Sequence, residues 1–148
     1  MALQERLAQE IKAAMLAKDA DRLSALRMLK SALGYAQIER KTENLPDVEF
    51  VALVQKEVKK RRDSAEQFEK GGRAELAAKE KQEIAVLETF LPKPLAPEEL
   101  EALVRATIQE TGATSKKDMG PVIKAVQAKA AGSADGKTIS TLVGKLLP

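Results

Sequence analysis

The stretch from Lys56 to Leu95, KEVKKRRDSAEQFEKGGRAELAAKEKQEIAVLETFLPKPL, restricts the possible folds of this chain more than any other. Ahead of it and within it, Val51, Val54, Val58, Ala65 and Phe68 step by three, four, seven and three, which keeps them on one face of a helix. Gly71 and Gly72 follow, where a helix end needs a residue free to enter the left-handed region. Beyond the turn, Ala77, Ile84, Leu87 and Leu91 repeat the apolar stripe. Two striped helices joined by so short a turn fold back antiparallel, because each needs the other's apolar face. Pro92 and Pro94 then end the second helix. Neither donates a backbone hydrogen bond, and each drives the residue before it towards an extended conformation. LPKPL therefore reads as a semi-rigid hinge.

Two helices precede this hairpin. Leu3, Leu7, Ile11 and Met15 step by four and give a single stripe over Leu3 to Lys18. Asp19 or Asp21 caps the next helix, whose stripe is Leu23, Leu26, Leu29 (or its neighbour Met28), Leu33 and Ala36. Gly34 lies inside that helix, at a cost of about 1 kcal/mol against alanine, which implies close helix packing there. Lys41 to Asn44 is turn-like, and Pro46 with Asp47 starts the third helix.

Beyond the hinge the helices are shorter. Pro97, Glu98 and Glu99 make an acidic first turn, Leu100, Leu103, Val104 and Ile108 give the apolar face, and Gly112 ends the helix. Ser115-Lys116-Lys117-Asp118 has the form of a capping box with Asp in place of Glu. Pro121 would clash inside a helix begun at that cap, so the helix is expected to begin at Gly120 with Pro121 as its first residue. Val122, Ile123, Val126 and Ala130 form its stripe. Asp135 caps a last helix with Ile139, Leu142, Val143, Leu146 and Leu147 inward. No alternating β-branched run is present, so the fold class expected is all-α. The expected organisation is a four-helix N-terminal domain (1–91), a hinge (92–96) and a small three-helix C-terminal bundle (97–148).

The chain of 148 residues contains no Cys and no His, and its only aromatics are Tyr35, Phe50, Phe68 and Phe90. Disulfides, thiol nucleophiles, His bases and the usual zinc sites are thereby excluded, and no metal or cofactor is expected. MALQERLAQEI is amphipathic without a signal-peptide core, and no apolar stretch reaches membrane-spanning length. Together with the missing cysteine, this points to the cytoplasm and away from a membrane.

Charge is the remaining clue. The net charge of +3 is mild, but its distribution is uneven. Residues 97–112 hold Glu98, Glu99, Glu101 and Glu110 against Arg105. Residues 113–148 hold Lys116, Lys117, Lys124, Lys129, Lys137 and Lys145 against Asp118 and Asp135. A second basic run, Lys56, Lys59, Lys60, Arg61 and Arg62, lies on the third helix. Folding the hairpin about Gly71-Gly72 sets Glu80 and Glu83 within one turn of it. That run is therefore either a phosphate-binding face or an interhelical charge ladder on a solvated surface, the second being the plainer reading.

KKRRDSAEQFEKGGRAELAAKEKQEIAVLETFLPKPL resembles the signature segment of the GatB/YqeY family, stand-alone bacterial proteins similar to the tail of the amidotransferase B subunit that works on misacylated tRNA. RLSALRMLKSAL (Arg22 to Leu33) and ADGKTISTLV (Ala134 to Val143) resemble two further family segments in the same order, so the resemblance spans nearly the whole chain. In that family the region of Arg22, Arg27 and Lys30 is a hallmark; on the residues alone it reads as a surface rim beside a leucine core. Ser133 stands where many relatives carry a basic residue, which argues against phosphate contact by that loop. The resemblance implies tRNA as a ligand, and an amidotransferase or a tRNA synthetase as a partner.

Three functions of different kinds follow. The first is a binding module for structured RNA, with Lys116, Lys117, Lys124, Lys129, Lys137 and Lys145 on phosphates and Thr114 to Lys124 as the best single region. Its plain counterpart is a solvated basic face, since no aromatic is expected to stack on bases. The second is a glutamine-dependent carbon–nitrogen ligase acting with partner subunits. ADGKT lacks the upstream glycine of a phosphate loop and follows no strand, and no Ser-His or Cys-His pair is possible. No catalytic residue is therefore assigned. The third is a protein-interaction adaptor.

Overall fold

The computed structural model describes all residues, Met1–Pro148, and is all-α: seven helices and one 3₁₀ turn. The helices are α1 (Leu3–Leu16), α2 (Ala20–Arg40), α3 (Asp47–Lys70), α4 (Ala74–Glu88), α5 (Pro97–Thr111), α6 (Met119–Ala130) and α7 (Gly136–Leu146). The 3₁₀ turn, Lys116–Asp118, runs directly into α6. The chain divides into two compact units, Met1–Leu91 and Pro92–Pro148.

In the first unit, three helix ends follow one chemistry. At the end of α3, Gly72 takes φ +73° and the Arg73 N–H reaches back to the Phe68 carbonyl at 2.7 Å. This is the six-to-one closure of a helix that ends in a left-handed residue. Lys18 after α1 and Lys41 after α2 do the same at φ 55° and 54°, with Asp19 and Thr42 donating to Ala14 and Gln37. Glycine is absent from both positions, so these turns carry the ordinary left-handed cost of about 1 kcal/mol each. Asp19 caps α2 by accepting from the Arg22 N–H at 3.2 Å. Asp47 starts α3 after Pro46 and accepts from the Leu3 N–H at 3.0 Å, which ties the start of α1 to α3.

The core of this unit is built on Leu7, Leu26, Leu29, Phe50, Val54, Leu87 and Phe90. Phe50 and Phe90 meet at 5.9 Å between ring centroids, tilted by 49°. The Arg6 guanidinium lies 4.7 Å over Phe90 and donates to the Thr89 carbonyl at 2.8 Å. α1 is thereby fastened to the end of α4.

Several interior positions differ from the sequence expectation. Met15 is half exposed and Ala14 is buried instead. A step of four overshoots the 3.6-residue turn by about 40°, so after three steps the stripe has rotated away from the core. Phe50 is fully buried, whereas Val51 and Phe68 lie at the rim. α4 stops at Glu88, and Leu91 packs on the core from beyond the helix. Gly34 has nothing within 4 Å of the place a side chain would occupy, so close packing does not account for it.

The largest departure is Arg61. It is only 5% exposed and lies inside the α3–α4 contact. Its Nε donates to Glu83 at 3.2 Å, and its Nη1 donates to the Glu57 carboxylate at 3.0 Å and carbonyl at 3.1 Å. Nη2 faces the Met28 sulfur at 3.6 Å. The expected solvated ladder therefore has a buried centre. Its outer members, among them Arg62 with Glu88 at 3.7 Å and Lys81 with Glu69, are surface pairs.

The second unit packs α5, α6 and α7 around Leu100, Val104, Val122, Val126, Ile139 and Val143. Leu95 belongs to it: its N–H donates to the Ser133 carbonyl at 2.9 Å and its side chain packs on this core. Pro121 is the third residue of α6, not the first, because the 3₁₀ turn supplies the preceding turn of chain. At that depth its missing N–H is one of the donors a helix start leaves unpaired anyway.

Candidate nucleic-acid interface

Every lysine of the second unit's basic excess reaches the surface: Lys116, Lys117, Lys124, Lys129, Lys137 and Lys145 are all exposed. Their settings differ. Lys129, in the last turn of α6, pairs with Glu110 of α5 and donates to the Thr107 hydroxyl at 3.3 Å. It is engaged internally. The other five enter no ion pair. α7 returns along α6 after a short turn, and a methyl added at Gly144 would meet the Met119 side chain at 3.3 Å. The start of α6 and the end of α7 are therefore neighbours, and the Lys116 N–H donates to the Pro148 carbonyl at 3.2 Å. Lys116, Lys117 and Lys145 thus share one end of the unit. Lys137 lies at the other end, in the first turn of α7.

The two acids among them each accept from backbone N–H groups. Asp118 accepts from the Thr114 N–H at 3.0 Å and the Ser115 N–H at 3.3 Å. These two backbone donors hold its carboxyl below the usual aspartate range, with Lys117 adding to the effect. Asp135 accepts from the Thr138 N–H at 2.7 Å and caps α7. No other acid lies between Met119 and Pro148, so every charged side chain within α6 and α7 themselves is a lysine, with the exposed Asp135 at the turn between them.

The region Thr114 to Lys124 is consequently basic in its side chains but closed in its backbone. The N–H groups of Thr114, Ser115, Lys116 and Asp118 all have partners. The reciprocal half of the cap is missing, since the Ser115 hydroxyl is buried with no hydrogen bond. At these four positions a phosphate meets lysine side chains rather than free N–H groups. The Ser133 loop is also spoken for: its hydroxyl donates to the Ala130 carbonyl and its own carbonyl accepts from Leu95.

The second basic surface is weaker than its sequence suggests. Lys56, Lys59, Lys60 and Arg62 are exposed on α3, but Lys60 faces Glu57 at 3.7 Å and Arg62 faces Glu88. Lys56 and Lys59 alone are unpaired. Around Arg61, Glu80 is a third carboxylate near one guanidinium. Burial raises its pKa first and Glu83 adds to that, against the opposing pull of Arg61 and Lys79. On α2, Arg22 is half buried against Glu10 at 3.3 Å, whereas Arg27 and Lys30 are exposed and unpaired.

Two features escaped the sequence reading. Arg61 follows Phe50 by eleven residues, three helical turns, so a wheel that included charged residues would have put it inside. Tyr35, the only tyrosine, is 77% exposed, so an aromatic does stand on the surface. Its place opposite Leu26, Leu29 and Leu33 on α2 was the available signal.

No helix is long and apolar enough to cross a membrane. The chain matches a family model described as "Yqey-like protein" over residues 4–147. It is 29% identical over 106 residues to "Altered inheritance of mitochondria protein 41, mitochondrial" of Vanderwaltozyma polyspora, covering 70% of this chain and 57% of that protein. The protein of the same name from Lachancea thermotolerans is 32% identical over 106 residues, with the same coverage. An uncharacterized protein of Schizosaccharomyces pombe is 32% identical over 91 residues, 62% of this chain and 73% of that one. The chain thus spans somewhat over half the length of the first two relatives, whose name places them in mitochondria. With the match running from residue 4 to residue 147, the chain belongs to the YqeY-like family.

Proposed function

We propose that this chain is a binding module for structured RNA, with tRNA the RNA suggested by its resemblance to the amidotransferase tail, and that it performs no catalysis alone. One observation carries the reading. On α6, α7 and the turn before them, five lysines stand unpaired while Asp118 and Asp135 face backbone N–H groups. A surface sorted in this way suits a polyanion, whose phosphates are held by lysines without reading of sequence.

The ligase reading has less support. Gly136, Lys137 and Thr138 form the first turn of α7, after a loop and not after a strand, so they do not make a phosphate-binding loop. Amide-forming chemistry, where this chain takes part in it, falls to partner subunits of the amidotransferase kind. Pro92, Lys93 and Pro94 join Leu91, packed on the first core, to Leu95, packed on the second, and serve as a stiff hinge. The reading requires a compartment that holds tRNA. The cytoplasm is proposed for this chain, as its lack of cysteine suggests.

The test is an electrophoretic shift of total tRNA by the purified chain at low and at physiological salt. A shift that weakens steeply with salt is expected. No shift at low salt would overturn the reading. In parallel, the chain given ATP, glutamine and misacylated tRNA should form no amide.

A further inference from the structure

The outer face of α2 belongs to the first unit, whereas the lysines of α6, α7 and the turn before them belong to the second. From Arg22 to Ile38 there is no acidic residue, the longest such stretch in the sequence, and it contains Arg22, Arg27 and Lys30. The inward face of the helix is Ala25, Leu26, Leu29 and Leu33. Opposite it, Arg27, Ser31 and Tyr35 step by four and Ile38 follows by three, which puts them on one outward stripe. Tyr35 and Ile38 are each 77% exposed. The Tyr35 hydroxyl makes no hydrogen bond, and Arg27, Lys30 and Lys41 enter no ion pair. Gly34 leaves bare backbone between Lys30 and Ile38, beside an open depression lined also by Gln37, Lys41, Thr42 and Glu43. Glu39, the next step of four after Tyr35, and Glu43 form the acidic edge of the patch.

We propose that this face is a second nucleic-acid contact, in which Tyr35 stacks on an unpaired base of RNA while Arg27 and Lys30 hold the adjoining phosphates. Its occupant follows from the chemistry. An exposed ring on the same stripe as unpaired Arg27, with unpaired Lys30 one turn from Arg27 and Glu39 only at the far edge, matches a ligand that carries both flat bases and negative charge. An apolar partner helix would be served by Tyr35 and Ile38 but would leave the cations unanswered. A bare polyanion would use the cations and ignore the ring. The site rests on the RNA reading above and adds single-stranded loops to what the chain recognises.

Because Tyr35 is the only tyrosine, 3-fluorotyrosine incorporated into the full chain gives a single fluorine resonance that reports on this ring alone. The resonance should shift or broaden with total tRNA and with a short unstructured RNA oligonucleotide, and should not move with inorganic polyphosphate. Tyr35→Ala should weaken oligonucleotide binding by roughly fivefold or more, the lower range of a lost base stack, and Tyr35→Phe should restore it. Arg27→Glu with Lys30→Glu should weaken it and reduce its salt dependence. If tRNA binds while the resonance stays still and Tyr35→Ala binds like the parent, this inference fails and the RNA reading stands. If tRNA does not bind at all, both fail. A resonance that moves with protein concentration alone, and not with RNA, would assign the face to a second copy of the chain and overturn the proposal.

Discussion

Replacing Arg61 by methionine tests the energetic account of the first unit. The side chain is 6% exposed, and its partners Glu83 and Glu57 are 10% and 14% exposed. Methionine keeps an unbranched stem and removes the three hydrogen bonds to Glu83 and Glu57. Two carboxylates then remain in the α3–α4 contact without their guanidinium, and Glu80 loses one of the two cations that oppose its raised pKa. Deleting one partner of a buried pair costs about 3–5 kcal/mol, because the remaining charge is left uncompensated. Lys60 stays near Glu57 at 3.7 Å and water reaches both carboxylates, which puts Arg61→Met at the lower end, about 3 kcal/mol. That is on the order of a hundredfold in the folding equilibrium. Urea unfolding at neutral pH, followed by circular dichroism, should show an earlier midpoint for the first unit with an unchanged denaturant slope. Adding Glu83→Leu should recover part of the loss, since an apolar pair leaves no orphan charge at that contact. A change within about 0.5 kcal/mol for Arg61→Met would refute the reasoning and reduce the cluster to an ordinary surface ladder.

Two further predictions concern pH. Glu80 has its pKa raised above 4.5, so the native state holds the proton to higher pH than the unfolded chain and stability falls as pH rises through the native value. Glu80→Gln should therefore melt higher than the parent at neutral pH, with the gap closing as pH is lowered to about 4.5. Asp118 has its pKa lowered below 3.8, so its contribution is present above that value and is lost as pH falls through the native one. Asp118→Asn should melt lower than the parent at neutral pH and converge with it in strong acid, in thermal scans followed by circular dichroism.

Most of the fold was legible because its signals are local. Asp19, Asp135 and Gly112 stand at helix ends where capping chemistry puts them, and Gly72 provides the left-handed residue of the α3–α4 turn. The interior was legible wherever it is aliphatic. Arg61 was not, because periodicity was counted over apolar residues and a buried guanidinium depends on Glu83, twenty-two residues away across the turn. Lys129 looks like the free lysines in sequence because its partner Glu110 is on another helix. The backbone of Thr114 to Lys124 read as an open anion site because nothing local shows that Asp118 turns back onto it. Tyr35 is legible only from its place opposite the leucine face of α2, since a single aromatic forms no pattern of its own.

The central claim is that unpaired lysines of the second unit hold RNA phosphates. The most direct measurement is the salt dependence of tRNA binding by the parent chain and by Lys116→Glu with Lys117→Glu. Each phosphate contact contributes a slope of about −0.7 to −0.9 in log K against log salt, so the double variant should bind more weakly with a slope shallower by about 1.4 to 1.8. The control, Lys59→Glu with Arg62→Glu, should leave that slope nearly unchanged. An unaltered slope and affinity in the Lys116/Lys117 variant, with binding lost in the Lys59/Arg62 variant and both folded by circular dichroism, would contradict the claim and move the RNA surface to α3.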